Sequence, residues 1–433
     1  MIADRELVAA LKVAVGDRLQ EWVAREQKAG KVRGVDDQRQ YALSLATDQV
    51  KQVDKDRLIA GHDQMPNDEV ALLVREVISG LFDAGGFTGA FERPDMANVA
   101  VNGIDAYGEL MNGEIIPLGR IAASEQEVVE LVQHLLTTQS RTSRVFNSAH
   151  PLVSAQLKNG MRLTASMEVS DCVSVSIRRS VVADVSLMDL VRLGTLTGQA
   201  AEFLAACVRG ELNIVTGGGT NSGKTTMTRA LCDEIAASDR LVVVEDAAEL
   251  NLKHPVRHPD VVSLEARLPN VEGAGEVTLG ELCKHALRMS PKRLICGEIR
   301  SGDEAMPVLT AMTTGNDGSM TTIHARTAEN SLEKLRTLLG IAIGIDAEVA
   351  ADLISQAVDL VIYLRQDRRT GKRLVMSIRE VTGREEAKVL TNSVFERSND
   401  GVLRPTGTMS ERLRERLADV GFDTRRLLLG EAS

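Results

Sequence analysis

The glycine-rich stretch at residues 213–226, Asn-Ile-Val-Thr-Gly-Gly-Gly-Thr-Asn-Ser-Gly-Lys-Thr-Thr, constrains this chain more than any other feature. It fits the pattern G-x-x-x-x-G-K-[ST] without a gap, through Gly218, Gly223, Lys224 and Thr225. The apolar residues 212–215 predict a buried strand, and residues 224–235 predict a helix. A strand–loop–helix unit of this kind directs backbone N–H groups and a helix N-terminus at phosphate oxygens. A turn that is merely rich in glycine is the alternative, but this context favours a nucleoside triphosphate site.

Individual residues of this loop have predicted roles. Lys224 can reach the β- and γ-phosphates, and the hydroxyl of Thr225 can bind Mg²⁺. The residues predicted to surround the phosphates are Gly218, Gly219, Thr220, Asn221, Ser222, Gly223, Lys224, Thr225 and Thr226.

Composition and charge exclude several other classes of protein. The 433 residues predict two or three domains, and a hydrophobic fraction of 43% is typical of a soluble globular protein. A net charge of −10 argues against a protein that mainly wraps nucleic acid. We expect a cytosolic protein, because the sequence has neither a membrane-spanning apolar run nor a signal peptide. The scattered cysteines predict reduced thiols rather than zinc ligands or disulfides; they are Cys172, Cys207, Cys232, Cys283 and Cys296.

Residues 1–65 predict a helical N-terminal extension. Apolar residues recur at every fourth position from Leu7 to Val23, and a second helical stretch covers residues 38–59 after a turn at 30–36. Such a pair of helices could bind a partner or pack against each other, and the second use is favoured.

Residues 66–180 predict an α+β domain. A helix is expected at residues 124–139, with Ser124 as its N-cap. Alternating or β-branched segments predict strands at residues 99–103, 114–117, 161–164 and 172–178. A linker at 181–186 leads to the last domain, residues 187–433.

The last domain alternates strand and helix, which predicts an α/β fold with a mainly parallel sheet. Glu249 follows one apolar strand closely, and Glu298 ends another. Acids at the carboxyl ends of strands beside a P-loop can hold Mg²⁺ through water or activate the attacking water. His324 ends a further strand, where it could sense the γ-phosphate, although a lone histidine is equally often structural.

Four ordered segments resemble the type II/IV secretion-system ATPases, in particular the CpaF/TadA-type motors of tight-adherence (Flp) pilus machines. They match the Walker A, acidic, Walker B and histidine boxes of that family and cover residues 217–226, 244–250, 286–300 and 314–325. Residues 267–273 and the pattern Val394-Phe-Glu…Gly401…Pro405-Thr-Gly407 resemble the CpaF-like branch. The resemblance runs from about residue 70 to residue 430.

The resemblance implies a RecA-like P-loop ATPase domain preceded by an α+β (PAS-like) amino-terminal domain and the helical extension. It implies a homo-hexamer that hydrolyses ATP with Mg²⁺, with the nucleotide between the two domains. Domain closure would power assembly of a pilus or secretion apparatus. The implied partners are polytopic inner-membrane platform proteins, which would hold the chain at the cytoplasmic face of the membrane. Nucleic acid and direct membrane insertion are not expected.

The resemblance also assigns residues to roles. Glu249 matches the catalytic glutamate of the family, and Glu298 matches the Walker B acid, a ligand of Mg²⁺ through water. Arg162 and Arg178 fall where the amino-terminal domain supplies phosphate-facing arginines; surface ion pairs are the alternative for both.

The sequence departs from the family pattern at several positions. Asn316 stands where the family usually has histidine, and the other departures are at Ser154, residues 167–170, Ser290 and Lys292. These departures bear on the rate of ATP hydrolysis, on the coupling between the domains and on the identity of the partner. Two other functions stay open. A conjugative type IV secretion ATPase shares the four boxes, although the CpaF-like carboxyl-terminal pattern argues against it, and Asn316 leaves room for a slow nucleotide-dependent scaffold.

Overall fold

The computed structural model describes residues 5–28, 35–82, 93, 95–111, 113–140, 144–157, 160–179, 184–270, 272–367 and 369–427. The chain forms two compact units, Met1–Arg179 and Ser180–Ser433. Most of the turn predicted at 30–36, and half of the linker predicted at 181–186, lie outside the described residues.

The first unit begins with three helices, α1 (Arg5–Lys28), α2 (Val35–Ile59) and α3 (Asn67–Phe82). They share one apolar core, which includes Leu11, Val15, Ala42, Ala46, Val50, Leu73 and Val77. Trp22 and Tyr41 stack at a ring distance of 4.3 Å between α1 and α2. The two helices of the extension thus pack against each other, and α3 completes their core.

The rest of the first unit is an antiparallel sheet with helix α4 (Glu125–Thr138). Its strands are β1 (Met96–Asn102), β2 (Asp105–Leu110), β3 (Ile115–Arg120), β4 (Leu152–Gln156), β5 (Met161–Ser166) and β6 (Ser174–Arg179), in the order β3-β2-β1-β6-β5-β4. Ser124 caps α4, as expected, by accepting a hydrogen bond from the Glu127 N–H group. One face of the sheet packs with α4 through residues such as Val99, Val132 and Leu163. β2 and β4 were not foreseen from the sequence.

The second unit is built on a nine-stranded mixed sheet, in the order β15-β14-β13-β12-β7-β11-β10-β8-β9. Its strands are β7 (Ile214–Gly218), β8 (Leu241–Glu245), β9 (Val261–Glu265), β10 (Arg293–Ile299), β11 (Met320–His324), β12 (Leu360–Gln366), β13 (Arg373–Glu385), β14 (Lys388–Arg397) and β15 (Leu403–Pro405). β7 to β12 run parallel, and β13 to β15 extend the sheet with antiparallel pairs.

Helices cover both faces of this sheet. They are α5 (Leu187–Arg192), α6 (Gly198–Arg209), α7 (Lys224–Cys232), α8 (Leu279–Ala286), α9 (Gly302–Thr313), α10 (Ala328–Ile343), α11 (Ala347–Ala357) and α12 (Glu411–Asp419). One core lies between the sheet and α6 and α7, and a second lies between the sheet and α8 to α11. Among the described residues, no helix combines the length and the apolarity needed to cross a bilayer.

The α/β fold with a mainly parallel sheet is confirmed. Carboxyl-terminal helices are expected in residues 187–433, and α10, α11 and α12 lie in the carboxyl-terminal part of that range. Residues 373–405 form the antiparallel strands between α11 and α12. Alternating burial along β13, with Val375 and Ile378 in the core, suits a strand. β-Bulges near Ile378 and Val381 interrupt that alternation, which obscures it in the sequence.

Candidate active site

The P-loop lies at the carboxyl end of the buried strand β7, where close packing demands glycine. A Cβ atom on Gly218 would lie 2.4 Å from the Ser222 Oγ atom and 2.7 Å from the Leu364 carbonyl oxygen. A side chain at this position would therefore displace either the loop or the neighbouring strand β12.

Local conformation shapes the loop between β7 and α7. Asn221 has a φ of 57°, and Gly223, the residue before α7, has a φ of 94°. The Ser222 hydroxyl donates a 2.8 Å hydrogen bond to the Gly219 carbonyl oxygen and closes the loop on itself. A loop of this shape, leading into a helix N-terminus, is the backbone arrangement that binds phosphate groups.

Lys224 begins α7 and is 8% exposed. Its Nζ atom donates a 2.8 Å hydrogen bond to the Gly219 carbonyl oxygen and lies 3.3 Å from the His324 Nδ1 atom. Burial lowers the pKa of Lys224 below its usual value, while the nearby carboxylate of Glu298 opposes that shift. The ammonium group is thus held beside the loop in which phosphates would lie.

His324, at the end of β11, connects Lys224 to Glu298. Its Nε2 atom lies 3.0 Å from the Glu298 Oε1 atom. Burial and the adjacent Lys224 ammonium lower the pKa of His324, although Glu298 acts in the opposite direction. A neutral His324 satisfies this geometry when Nε2–H donates to Glu298 and Nδ1 accepts from Lys224.

Glu298 also contacts Arg300, which the sequence reasoning missed, and Arg300 in turn contacts Asp246. The Arg300 guanidinium donates a 3.1 Å hydrogen bond to Glu298 through Nε and one of 3.3 Å to Asp246 through a terminal nitrogen. The Arg300 N–H group donates to the Glu304 carboxylate, which belongs to the capping box of α9. The N-terminus of α9 therefore fixes the segment that positions Arg300.

The acidic segment after β8 is organised by Glu245, which is buried. Its carboxylate accepts hydrogen bonds of 3.1 Å from the N–H groups of Glu249 and Leu250. A Cβ atom on Gly297 would lie 3.1 Å from the Glu245 side chain, so the glycine before Glu298 makes room for it. Glu249 itself is half-buried in the turn that Glu245 holds. Three acids within five residues are the sequence signal that could have revealed Glu245 and Asp246.

Thr225, in the first turn of α7, is half-buried beside Lys224. Within the described residues, no group of three or more histidine, cysteine or acidic side chains forms a metal cage. Mg²⁺ fits this arrangement when one hydroxyl and water-mediated carboxylate contacts are completed by substrate phosphates.

Arg162 and Arg178 lie in the first unit, opposite each other on β5 and β6. They occupy the sheet face that alternates with the apolar positions facing α4; Arg178 is exposed and Arg162 is half-buried. The structure thus brings these two arginines together, whereas Lys224, Glu298 and His324 meet within the second unit.

Asn316 has a structural contact. Its side-chain amide donates to the Pro291 carbonyl oxygen, and its own carbonyl oxygen accepts a 2.6 Å hydrogen bond from the Ser319 hydroxyl. The first bond connects the turn before β11 to the segment before β10, and the second lies within that turn.

Residues 146–399 match the family described as type II/IV secretion system protein. The chain belongs to this family. The match covers more than half of the chain and includes the P-loop, the acidic segment, Glu298 and His324. The prediction of a P-loop ATPase is confirmed at the level of the family.

Curated relatives agree with this family. The chain is 34% identical over 277 residues to a putative conjugal transfer protein of Mycobacterium tuberculosis, covering 61% of this chain and 76% of the relative. It is 30% identical over 272 residues to the probable conjugal transfer protein TrbB of Sinorhizobium fredii, covering 61% and 77%. Protein VirB11 of Agrobacterium fabrum is 34% identical over 171 residues, which are 39% of this chain and 48% of the relative.

Solved structures overlap with the chain more loosely. The VirB11 ATPase of the Brucella suis type IV secretion system superposes with a TM-score of 0.38 at 23% identity, covering 70% of this chain and 97% of that one. The Legionella pneumophila ATPase DotB gives a TM-score of 0.47 at 15% identity, with coverages of 80% and 85%. Family membership therefore rests on the sequence matches.

Proposed function

We propose that the chain is an ATP-hydrolysing motor that works as a homo-hexamer on a membrane-anchored pilus or secretion machine. The observation that supports this proposal best is the connected set Lys224, His324, Glu298 and Arg300 beside the P-loop. It places a cation for the phosphates next to an acid that a neighbouring imidazole and a guanidinium orient.

Each side chain has a distinct task in this proposal. The loop N–H groups and Lys224 bind the β- and γ-phosphates, and Thr225 holds the Mg²⁺ that neutralises them. Glu249, in the turn held by Glu245, accepts a proton from the attacking water. Glu298 orients the metal-bound water. His324 contacts both Lys224 and Glu298 and so holds these two side chains in place relative to each other.

Arg162 and Arg178 complete the site in this proposal. Their sheet face would meet the phosphates when the α+β unit closes on the nucleotide. Two guanidinium groups stabilise the negative charge of the transition state, and closure keeps bulk water out.

We propose a tight-adherence (Flp) pilus machine as the one that the motor powers. Support comes from the carboxyl-terminal pattern, which resembles the CpaF-like branch of the family. Three of its residues, Val394, Pro405 and Gly407, line one cavity of about 280 Å³ together with residues of α12 and the turn after it. These three residues of the pattern thus lie close together in the fold. Platform proteins of that machine would recruit the chain to the cytoplasmic face of the membrane.

A conjugative type IV secretion ATPase is the second candidate. It is favoured by the relatives, two of which are a putative and a probable conjugal transfer protein at 34% and 30% identity. Both machines require the same chemistry at the P-loop.

The proposal is tested by measuring ATP hydrolysis and particle mass on one preparation of the full chain, with and without ATP and Mg²⁺. We expect hydrolysis that requires Mg²⁺, in particles of six chains. A monomer with full activity would contradict the ring, and a hexamer that binds but does not turn over ATP would support a scaffold. Co-purification with pilus platform proteins or with conjugation proteins, from cells that contain both, separates the two machines.

A further inference from the structure

Arg373 lies against the P-loop from the side of β12, although the sequence pattern of the loop does not include it. β12 pairs with β7 in a register that places Leu364 beside Gly218. The hairpin from β12 to β13 therefore leaves the sheet next to the P-loop, and Arg373 is the first residue of β13.

Two contacts connect Arg373 to the loop. Its Nε–H group donates a 3.0 Å hydrogen bond to the Asn221 carbonyl oxygen. Its Cδ atom would lie 3.1 Å from a Cβ atom on Gly223, so the side chain runs closely past the residue before α7. The guanidinium group is thus held beside the predicted phosphate cradle.

Arg373 is exposed, and within the part of the chain that the structure describes its charge has no carboxylate partner. Several other arginines of this unit do pair with carboxylates; Arg229, Arg257 and Arg293 are examples. Among the described residues, the terminal nitrogens of Arg373 have neither a hydrogen bond nor an ion pair.

The hairpin around Arg373 adds further positive charge. Arg365, Arg369 and Lys372 are exposed on it. Its one described acid, Asp367, accepts hydrogen bonds from the N–H groups of Arg369 and Thr370 and holds the turn. An anion is the ligand that this surface favours.

We propose that Arg373 is a phosphate-binding residue of the nucleotide site, supplied by the same chain as the P-loop. Its Nε–H group braces Asn221, and its two terminal amino groups bind phosphate oxygens of the nucleoside triphosphate. A guanidinium group suits both tasks because its donors point in fixed, different directions. This assignment rests on the proposed ATPase function and extends its phosphate site beyond the P-loop residues.

The experiment compares substitutions that separate these two tasks. Arg373→Gln keeps an amide nitrogen at the position of Nε, so it can still donate to Asn221, but it removes the charge and the terminal amino groups. Lys372→Gln removes the same charge from the adjacent residue and is the matched control. The dissociation constant for ATP is measured by titration calorimetry on the full chain, with thermal melting as the check of folding.

We expect Arg373→Gln to weaken ATP binding about tenfold or more, since bonds to charged groups are the strong ones. Lys372→Gln should bind ATP within about twofold of the unsubstituted chain. Equal losses in both variants would assign the effect to general charge and overturn the proposal. Normal binding by Arg373→Gln, with a loss in Arg373→Ala, would also overturn it and would leave Arg373 as a brace for the loop.

A further variant separates failure of this assignment from failure of the proposed function. Lys224→Ala should lose most of its ATP affinity if the P-loop is the nucleotide site. If it does so while Arg373→Gln binds normally, only the role of Arg373 is wrong. If Lys224→Ala binds ATP normally, the nucleotide site itself is wrong.

Discussion

The sheets of the two units differ in how they provide positions for chemistry. β7 and β8 are buried along their whole length, because helices cover both faces of the parallel sheet. Polar groups of this sheet gather where the strands end, as Glu245 and His324 do. β5 and β6 alternate instead between apolar residues that face α4 and polar residues on the other face.

This difference determines what each sheet can offer. A parallel sheet gathers a compact set of side chains at the carboxyl ends of its strands, which we call the carboxyl edge. Side chains there contact each other directly, as Lys224, His324 and Glu298 do. An antiparallel sheet with one polar face presents a row of side chains, such as Arg162 and Arg178, with no strand end to define a focus. We therefore expect substitutions at the carboxyl edge of the parallel sheet to affect catalysis more than substitutions on the polar face of the antiparallel sheet.

The largest effect is expected from Lys224→Ala at the edge. Removing the ammonium group leaves the β- and γ-phosphates without their cation, so turnover should fall about 1,000-fold or more. Steady-state phosphate release measures this change. Lys388→Ala, on an exposed position of β14, is the control and should keep normal turnover. Comparable losses of turnover in Lys224→Ala and Lys388→Ala would contradict a special role for the carboxyl edge of the parallel sheet.

A smaller effect is expected on the polar face of the first unit. Arg162→Ala and Arg178→Ala should each lower kcat about 10- to 100-fold while changing the ATP dissociation constant less, because the proposed function assigns both arginines to transition-state charge. Arg120→Ala, on β3 of the same sheet, is the matched control, since its only described ion pair is a 3.9 Å contact with Asp105. If kcat is unchanged in Arg162→Ala and in Arg178→Ala, these two arginines are surface charges without a role in catalysis.

Asn316→His should change kcat by less than about threefold. The Asn316 amide bonds to the Pro291 carbonyl oxygen rather than to the residues around Lys224, and an imidazole nitrogen can donate in its place. Asn316→Ala should lower the free energy of unfolding by about 1 kcal/mol, since it removes this bond. Urea unfolding and pH–rate profiles check both statements. A large gain in kcat for Asn316→His would show that histidine acts there by its charge.

The smallest effect concerns His258, which is 1% exposed beside Asp233. Burial and the charges of Arg229 and Arg257 lower its pKa, although Asp233 acts in the opposite direction. The unfolded chain therefore binds the proton more readily, and stability should fall as pH drops below about 6.5. His258→Gln cannot be protonated and should lose less stability between pH 7.5 and 5.5. Thermal melting at both values measures this, and identical losses would contradict it.

His134 provides the same comparison in the first unit. It is half-buried on α4, and burial together with the Lys12 charge lowers its pKa. His134→Gln should therefore also reduce the acid sensitivity of the chain.

The sequence predicted the second unit better than the first for a physical reason. Continuous apolar strands alternate with helices there, and the P-loop motif fixes where a strand ends and a helix begins. Both signals are local. In the first unit β2 and β4 are short, and small residues such as Ala106, Gly108 and Ala155 occupy buried positions, so their apolar pattern is weak. The sequence predicts a hairpin around residues 369–372, and β12 pairs there with β13, but β14 was missed because bulges interrupt its alternation.

The candidate site likewise contains residues that the sequence predicts and residues that only the fold reveals. The P-loop residues, Glu298 and His324 follow from motif and strand-end positions, and the structure brings Lys224, His324 and Glu298 together. Arg300 and Arg373 required the fold, because sheet pairing brings Arg300 to Asp246 and Arg373 to the P-loop across long stretches of sequence. Their residue types alone do not distinguish them from other surface charges.

The most direct test of the edge is a single-turnover measurement on Glu298→Gln, made on the full chain with ATP and Mg²⁺. The amide can still accept a hydrogen bond from His324, but it cannot carry the charge that orients the metal-bound water. Our account predicts that ATP stays bound with nearly normal affinity while its cleavage slows about 100-fold or more. Glu249→Gln should behave similarly. Cleavage at the normal rate in Glu298→Gln would contradict the assignment of the carboxyl edge of the parallel sheet as the catalytic site.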